Sequence, residues 1–278
     1  MYDAFTTLPL IDLWLREDIG AADLTAQLMV DADATAHFVM NAREAMVIAG
    51  IDVAAAVFAR YRPDLAIETL CRDGQAVEKG TALLRLSGNA RAILTAERPA
   101  LNIVQHLSGI ATLTAQYVRA ISHTRARLLD TRKTIPGLRA LEKHAAHCGG
   151  ALNHRLSLDG GVLIKDNHIA VCGGIGPAIA KARAGVPVLT KIEVECDRLD
   201  QVREALAAQA DLIMLDNMSL ADMREAVKWV AGRVALEASG NVRLETLPAI
   251  AETGVDYIST SKITQSAPAV DIGLDAPA

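Results

Sequence analysis

At 278 residues the chain can form one large α/β unit or two modest domains, and 51% hydrophobic residues with only 3% aromatics imply a core of Ala, Leu, Val and Ile, as in buried parallel strands under Ala-rich helices. The formal net charge of -5, without a basic tail, argues against nucleic-acid binding, because that affinity rests on lysines and arginines neutralising phosphates. No positively charged start leads into an apolar run, and no stretch is apolar for long enough to cross a bilayer, so a cytoplasmic protein without membrane contact is expected.

Along the chain, Leu10 to Arg16 are apolar at helical spacing, and Glu17-Asp18-Ile19-Gly20 breaks that helix. From Thr35 to Leu86 short strand-like runs such as Ala45 to Ile48 and Ala82 to Leu86 predict a small α+β domain, with turns at Asp73-Gly74 and Lys79-Gly80. Asn89 to Ile121 reads as a long helix that is interrupted by Pro99 and bridges two domains. Buried strands are then predicted at Ala126 to Asp130, Val162 to Lys165, Leu189 to Val194, Leu212 to Leu215, Val234 to Ala238 and Tyr257 to Ser259. Helices at Leu199 to Ala208 and Leu220 to Val230 alternate with them. The cysteines Cys71, Cys148, Cys172 and Cys196 form no CxxC pair and are expected to be buried free thiols.

What ends each strand decides between a barrel and an open sheet. The strands run into Arg132-Lys133, Lys165, Glu195, Asp216, Ser239-Gly240 and Ser259 to Ser261, and an α/β barrel would gather such groups at one mouth. No GxGxxG follows the first strand and no Walker-type motif occurs. An α/β barrel is therefore favoured. Between Asp130 and His168 lie Arg132, Lys133, Arg139, Lys143, Arg155 and Lys165 with four histidines, a cationic density that suits a small, highly anionic ligand carrying carboxylates and phosphates. Arg139 and Lys143 fit a solvated helix face equally well, and His144 and His147 on that helix read as structural. Glu195 and Asp216 offer an edge for hydroxyls or Mg²⁺, and Ser239-Gly240-Asn241 a turn that can cradle a phosphate.

The run Asp130-Thr131-Arg132-Lys133-Thr134-Ile135-Pro136-Gly137-Leu138-Arg139, with Asn153-His154-Arg155 and Leu163-Ile164-Lys165-Asp166-Asn167-His168, resembles the signature of quinolinate phosphoribosyltransferases. Glu97-Arg98-Pro99, Glu193-Val194-Glu195, Leu215-Asp216-Asn217 and Glu237-Ala238-Ser239-Gly240 extend the likeness. The resemblance implies an α/β fold with a smaller N-terminal α+β domain at 1–107, completed by the tail 266–278, and an incomplete TIM-like α/β barrel at 108–265. It implies Mg²⁺-dependent transfer of phosphoribosyl from phosphoribosyl pyrophosphate to quinolinate with decarboxylation. A homodimer follows, with Arg98 reaching the neighbouring site, and a higher assembly of dimers stays open. By the same likeness Arg132, His154 and Arg155 hold the two carboxylates, while Lys133 and Lys165 are shared between the substrates. Glu195 and Asp216 face the ribose and the metal, and Ser239, Gly240, Asn241 and Ser261 surround the 5-phosphate. Ser261 stands where the family often has glycine, which raises a question of backbone freedom, and Lys262 follows it.

The pyridine nitrogen already carries a lone pair, so glycosyl transfer to it requires no activated serine or cysteine, and none is visible. Three alternatives remain at this level. They are a related pyrophosphorylase with another acceptor, a Schiff-base aldolase using Lys133 or Lys165, and an anion-binding protein without turnover.

Overall fold

The computed structural model describes residues 3–276. Residues 1–2 and 277–278, within the expected N-terminal domain and its tail, lie outside the described residues. In chain order the first elements are α1 (Ala4–Ile19), α2 (Leu24–Met29), β1 (Thr35–Ala42), β2 (Met46–Val47), α3 (Ile51–Tyr61), β3 (Ala66–Thr69), β4 (Ala76–Val77), β5 (Ala82–Asn89) and α4 (Ala90–Ala120). There follow β6 (Arg127–Leu129), α5 (Arg139–Cys148), β7 (Val162–Ile164), α6 (Asp166–Cys172), α7 (Ile175–Gly185), β8 (Ile192–Cys196) and α8 (Leu199–Ala207). The last are β9 (Leu212–Asp216), α9 (Leu220–Val230), β10 (Ala235–Ser239), α10 (Leu247–Ala251), β11 (Tyr257–Ser259), α11 (Lys262–Gln265) and β12 (Ile272–Asp275).

The chain forms two compact units, the first holding the residues up to Ala115, Ile135–Gly150 and those from Ala267, the second Gln116–Thr134 and Ala151–Ser266. The first boundary between the units lies between Ala115 and Gln116. It falls inside α4, which continues through Pro99 without the expected interruption. The segment holding α5 groups with the first unit because its polar residues bond there. Glu142 accepts from His106 at 2.9 Å and from the Ile135 N–H at 3.2 Å, and His144 meets Asp73 at 2.7 Å.

In the first unit a four-stranded antiparallel sheet runs β12-β1-β5-β3. Its core includes Met40, Leu84 and Leu86, with Ile93, Ala100, Val104, Leu107 and Ala111 on one stripe of α4. Of the two readings open for Lys143, the solvated face fails, since Glu142 and Lys143 are both fully buried. The cysteines are free, yet only Cys196 is fully buried, the other three being half-buried. Burial pushes the Cys196 thiol up to about 12.

In the second unit six strands form one sheet in the order β6-β11-β10-β9-β8-β7, every pair parallel. Outer strands β6 and β7 do not pair with each other, and an isolated bridge from Leu129 to Leu152 extends the β6 side. This is the incomplete α/β barrel. Val202 and Ala205 of α8, and Met223, Ala226 and Val230 of α9, are buried at helical spacing and supply the covering layer. Strand β8 begins at Ile192 and not at Leu189, because Val188 and Leu189 belong to an exposed loop, 98% and 93% accessible. Along β8, Ile192, Val194 and Cys196 point one way and Glu193 and Glu195 the other, so alternation places the acids inside the barrel. No helix among the described residues is long and apolar enough to cross a membrane.

Candidate active site

The carboxyl ends of the parallel strands surround a cavity of about 700 Å³ within the second unit. Arg132 and Lys133 enter it after β6, His154 and Arg155 from the segment bridged to β6, and Lys165 directly after β7. Glu195 lies one residue before the end of β8, Asp216 ends β9, and Ser239 with Gly240 and Asn241 follows from β10. Ser261 and Lys262 close the ring after β11. Of the candidate residues, Arg98 alone does not line this cavity; it is exposed on α4 in the first unit. The cationic cluster also divides, since Arg139, Lys143, His144 and His147 lie on α5, in the first unit.

Asp130, fully buried just past β6, accepts from the Asn153 side-chain amide at 2.6 Å and from the His154 N–H at 2.9 Å, which pins the 153–155 segment. Arg155 donates from its guanidinium to the Gly161 carbonyl at 2.9 Å. Its pKa is lowered by burial and by repulsion from Arg132, against the attraction of Glu193. The buried Nε of Arg132 has no hydrogen-bond partner among the described residues. Two guanidiniums repel each other across a partly desolvated space, with donor capacity unused on one of them. Such a site is built for an anion, most effectively one with two carboxylates.

Lys165 pairs with Glu195 at 2.6 Å, and its N–H donates to His168 Nδ1 at 3.0 Å. Lys133 is held by its backbone, its N–H donating to Thr131 Oγ1 at 3.0 Å and its carbonyl accepting from Thr264 Oγ1 at 2.9 Å, which leaves the ammonium exposed. Asp216 accepts from the Asn217 side chain at 2.7 Å. Asn217 in turn donates its N–H to the Ser239 carbonyl at 2.9 Å and accepts from Asn241 Nδ2 at 3.0 Å, tying the β9 and β10 loops together. Gly240 sits at φ +95°, and a Cβ there would overlap the Asn217 amide and stand 2.9 Å from its backbone nitrogen, so only glycine fits the turn. Ser261, by contrast, has φ -85° and ψ -9° before α11. The question raised by its replacement of glycine disappears, because ordinary right-handed backbone suffices there.

Among the described residues, the groups close enough to enclose a metal are Asp73, His144 and Cys148 in the first unit, and His154, Glu193 and Glu237 in the second. Neither contains Glu195 or Asp216. The oxygens of those two suit a hard cation such as Mg²⁺, but both residues already accept from neighbours, which fits an ion carried mainly by substrate phosphates better than a protein cage. Sequence reasoning gave no role to Asp130, Glu193 or Glu237. The signal was present in the last two, each an acid inside an otherwise apolar strand.

Residues 23–108 match the family model "Quinolinate phosphoribosyl transferase, N-terminal domain", and residues 110–275 match the corresponding C-terminal domain. The chain belongs to the quinolinate phosphoribosyltransferase family. A family relative from Synechocystis sp., "Probable nicotinate-nucleotide pyrophosphorylase [carboxylating]", is 46% identical over 96% of this chain and 91% of its own. The Mycobacterium leprae "Nicotinate-nucleotide pyrophosphorylase [carboxylating]" is 43% identical over 94% of each. Among solved structures of the family, the nicotinate-nucleotide pyrophosphorylase from Francisella tularensis superposes with a TM-score of 0.96 at 42% identity, covering 100% of this chain and 98% of that one.

Proposed function

We propose that this chain transfers phosphoribosyl from phosphoribosyl pyrophosphate to quinolinate and releases pyrophosphate and CO₂, giving nicotinate mononucleotide in NAD biosynthesis. The observation that carries this reading is the opposed pair Arg132 and Arg155, a dicarboxylate receptor sharing one cavity with two lysines, two carboxylates and a phosphate-type turn.

Arg132 and Arg155 hold the quinolinate carboxylates, so that the ring nitrogen faces the ribose anomeric carbon. Ser239, Gly240, Asn241 and Ser261 receive the 5-phosphate, Glu195 and Asp216 orient the ribose hydroxyls, and Lys133 and Lys165 stabilise the departing pyrophosphate. Lys165 exchanges its bond to Glu195 for one to substrate. As the C–O bond to pyrophosphate breaks, the ring-nitrogen lone pair forms the new N–C bond, and the protein contributes positioning and charge. The positive charge of the quaternised nitrogen then stabilises the carbanion left on the adjacent ring carbon when its C–CO₂ bond breaks, and that carbon's electron pair takes up a proton from water. Glu195 and Asp216 are the residues that would hold Mg²⁺, which would supply further charge neutralisation when bound.

Incubation of the protein with quinolinate, phosphoribosyl pyrophosphate and Mg²⁺ should yield nicotinate mononucleotide and CO₂ in equal amounts. Tight binding of phosphoribosyl pyrophosphate without product would assign the site to a different acceptor.

Because Arg98 is exposed and does not line the cavity, its role is proposed to lie across a homodimer, in the partner's cavity. Mixing inactive Arg98→Ala and Lys165→Ala chains should then restore part of the activity by forming one intact site. Proven subunit exchange without recovery would remove Arg98 from the site.

A further inference from the structure

The chemistry above leaves two acids of the barrel interior unused. Glu193 on β8 is 5% exposed and Glu237 on β10 fully buried. Their neighbours along each strand, Ile192 and Val194 or Leu236 and Ala238, face the opposite way, so both carboxyls point inward beneath the cavity. They converge on one group. His154 Nε2 lies 2.9 Å from Glu193 Oε2 and 3.6 Å from Glu237 Oε2.

The other ring nitrogen is also committed. His154 Nδ1 accepts the Arg155 backbone N–H at 2.8 Å, so Nδ1 must be bare and the ring proton must sit on Nε2, donated to Glu193. Neither Glu237 oxygen, nor Glu193 Oε1, closes a hydrogen bond of ordinary geometry. Buried, unsatisfied carboxyl oxygens are costly and call for an explanation. Burial, and the Glu193 carboxylate beside it, push Glu237 well above the usual carboxylate range, with the Ser259 hydroxyl opposing.

Building on the proposed function, we infer that Glu193 is a positioning residue of the quinolinate subsite, which locks His154 as its Nε2–H tautomer and through its bare Nδ1 fixes the backbone of Arg155, with Glu237 packed beside the pair. A metal-ligating histidine is oriented by an outer carboxylate in the same way, the second partner selecting the tautomer. Here the object oriented is a guanidinium-bearing residue. His154 then serves the acceptor by holding Arg155 in place.

Three measurements test the inference. In ligand-free protein with ¹⁵N-labelled histidine, long-range ¹⁵N–¹H spectra should show His154 protonated at Nε2 and bare at Nδ1; a Nδ1–H tautomer would overturn the proposal. Glu193→Ala should raise KM for quinolinate about tenfold or more, the loss of one charge-assisted hydrogen bond, while KM for phosphoribosyl pyrophosphate stays put. Glu193→Gln, which can still accept from Nε2–H, should recover most of that loss, and an equal rise in both KM values would reduce Glu193 to a structural part. Glu237→Gln should behave like the parent enzyme, whereas damage equal to that of Glu193→Ala would assign the lock to the charge of Glu237 and overturn the role given to Glu193. The spectrum needs neither substrate nor variant, so an enzyme inactive on quinolinate refutes the functional reading while the tautomer remains measurable.

Discussion

Replacing Arg155 with alanine is expected to lower kcat/KM for quinolinate by about a hundredfold, with KM for phosphoribosyl pyrophosphate changed less than about threefold. A guanidinium in a half-buried cavity makes charge-assisted bonds worth about 1.5–3 kcal/mol each, and a forked pair to one carboxylate exceeds that of a single contact. Arg155→Lys should rescue little, because an ammonium cannot reproduce the planar fork. The opposing charge matters too. Arg132 and Arg155 repel each other, so each single loss is partly offset by relief of the remaining guanidinium, and the double replacement should cost more than the two single losses added together. Steady-state kinetics with each substrate varied in turn checks all three statements; a loss spread equally over both substrates would contradict the division of the cavity.

The second large effect belongs to a residue that touches no substrate. Asp130 is fully buried, and it accepts at 2.6 Å and 2.9 Å from Asn153 and the His154 backbone. Asp130→Ala removes two bonds to a charged acceptor and strands their donors, a cost of about 3–5 kcal/mol. Thermal unfolding should therefore fall by about 6 °C or more. At temperatures where the variant is still folded, KM for quinolinate should rise while binding of phosphoribosyl pyrophosphate persists, since the segment released carries His154 and Arg155 but not the β10 turn. Calorimetry and kinetics together separate the two effects. An unchanged melting temperature would mean that the Asp130 bonds add nothing to stability.

These two sites differ in how far the sequence disclosed them. Charged residues ending apolar strands pointed to Arg132, Lys165 and Asp216 because period-two alternation marks where a buried strand stops, and the structure gathers them at one cavity. Helix α9 was legible end to end because its apolar positions recur at a single period and Ser219 caps it, accepting from the Asp222 N–H. The start of β8 was not. Val188 and Leu189 are as apolar as a strand, and only tertiary context leaves them in solvent. The burial of Glu142 was equally hidden, because one of its partners, His106, stands 36 residues away in sequence. Glu193 and Glu237 were quoted in motifs but had no role, since one strand's pattern cannot show that acids from two strands meet at the same histidine. Arg98 shows a further limit: a residue proposed to act on a second copy carries no such signal in its own chain.

The order of strands also bears on how the protein is made. Strand β6 finds its hydrogen-bonded neighbour in β11, where Leu129 faces Ser259, and β1 is flanked on one side by β12, where Val39 faces Asp275. A nascent chain emerging from the ribosome therefore carries β6 without β11 and β1 without β12 until residues 257–259 and then 272–275 have been synthesised. Early-made strands must wait, with unpaired backbone groups, for partners translated later, and that interval is when strand edges are prone to pair with other chains.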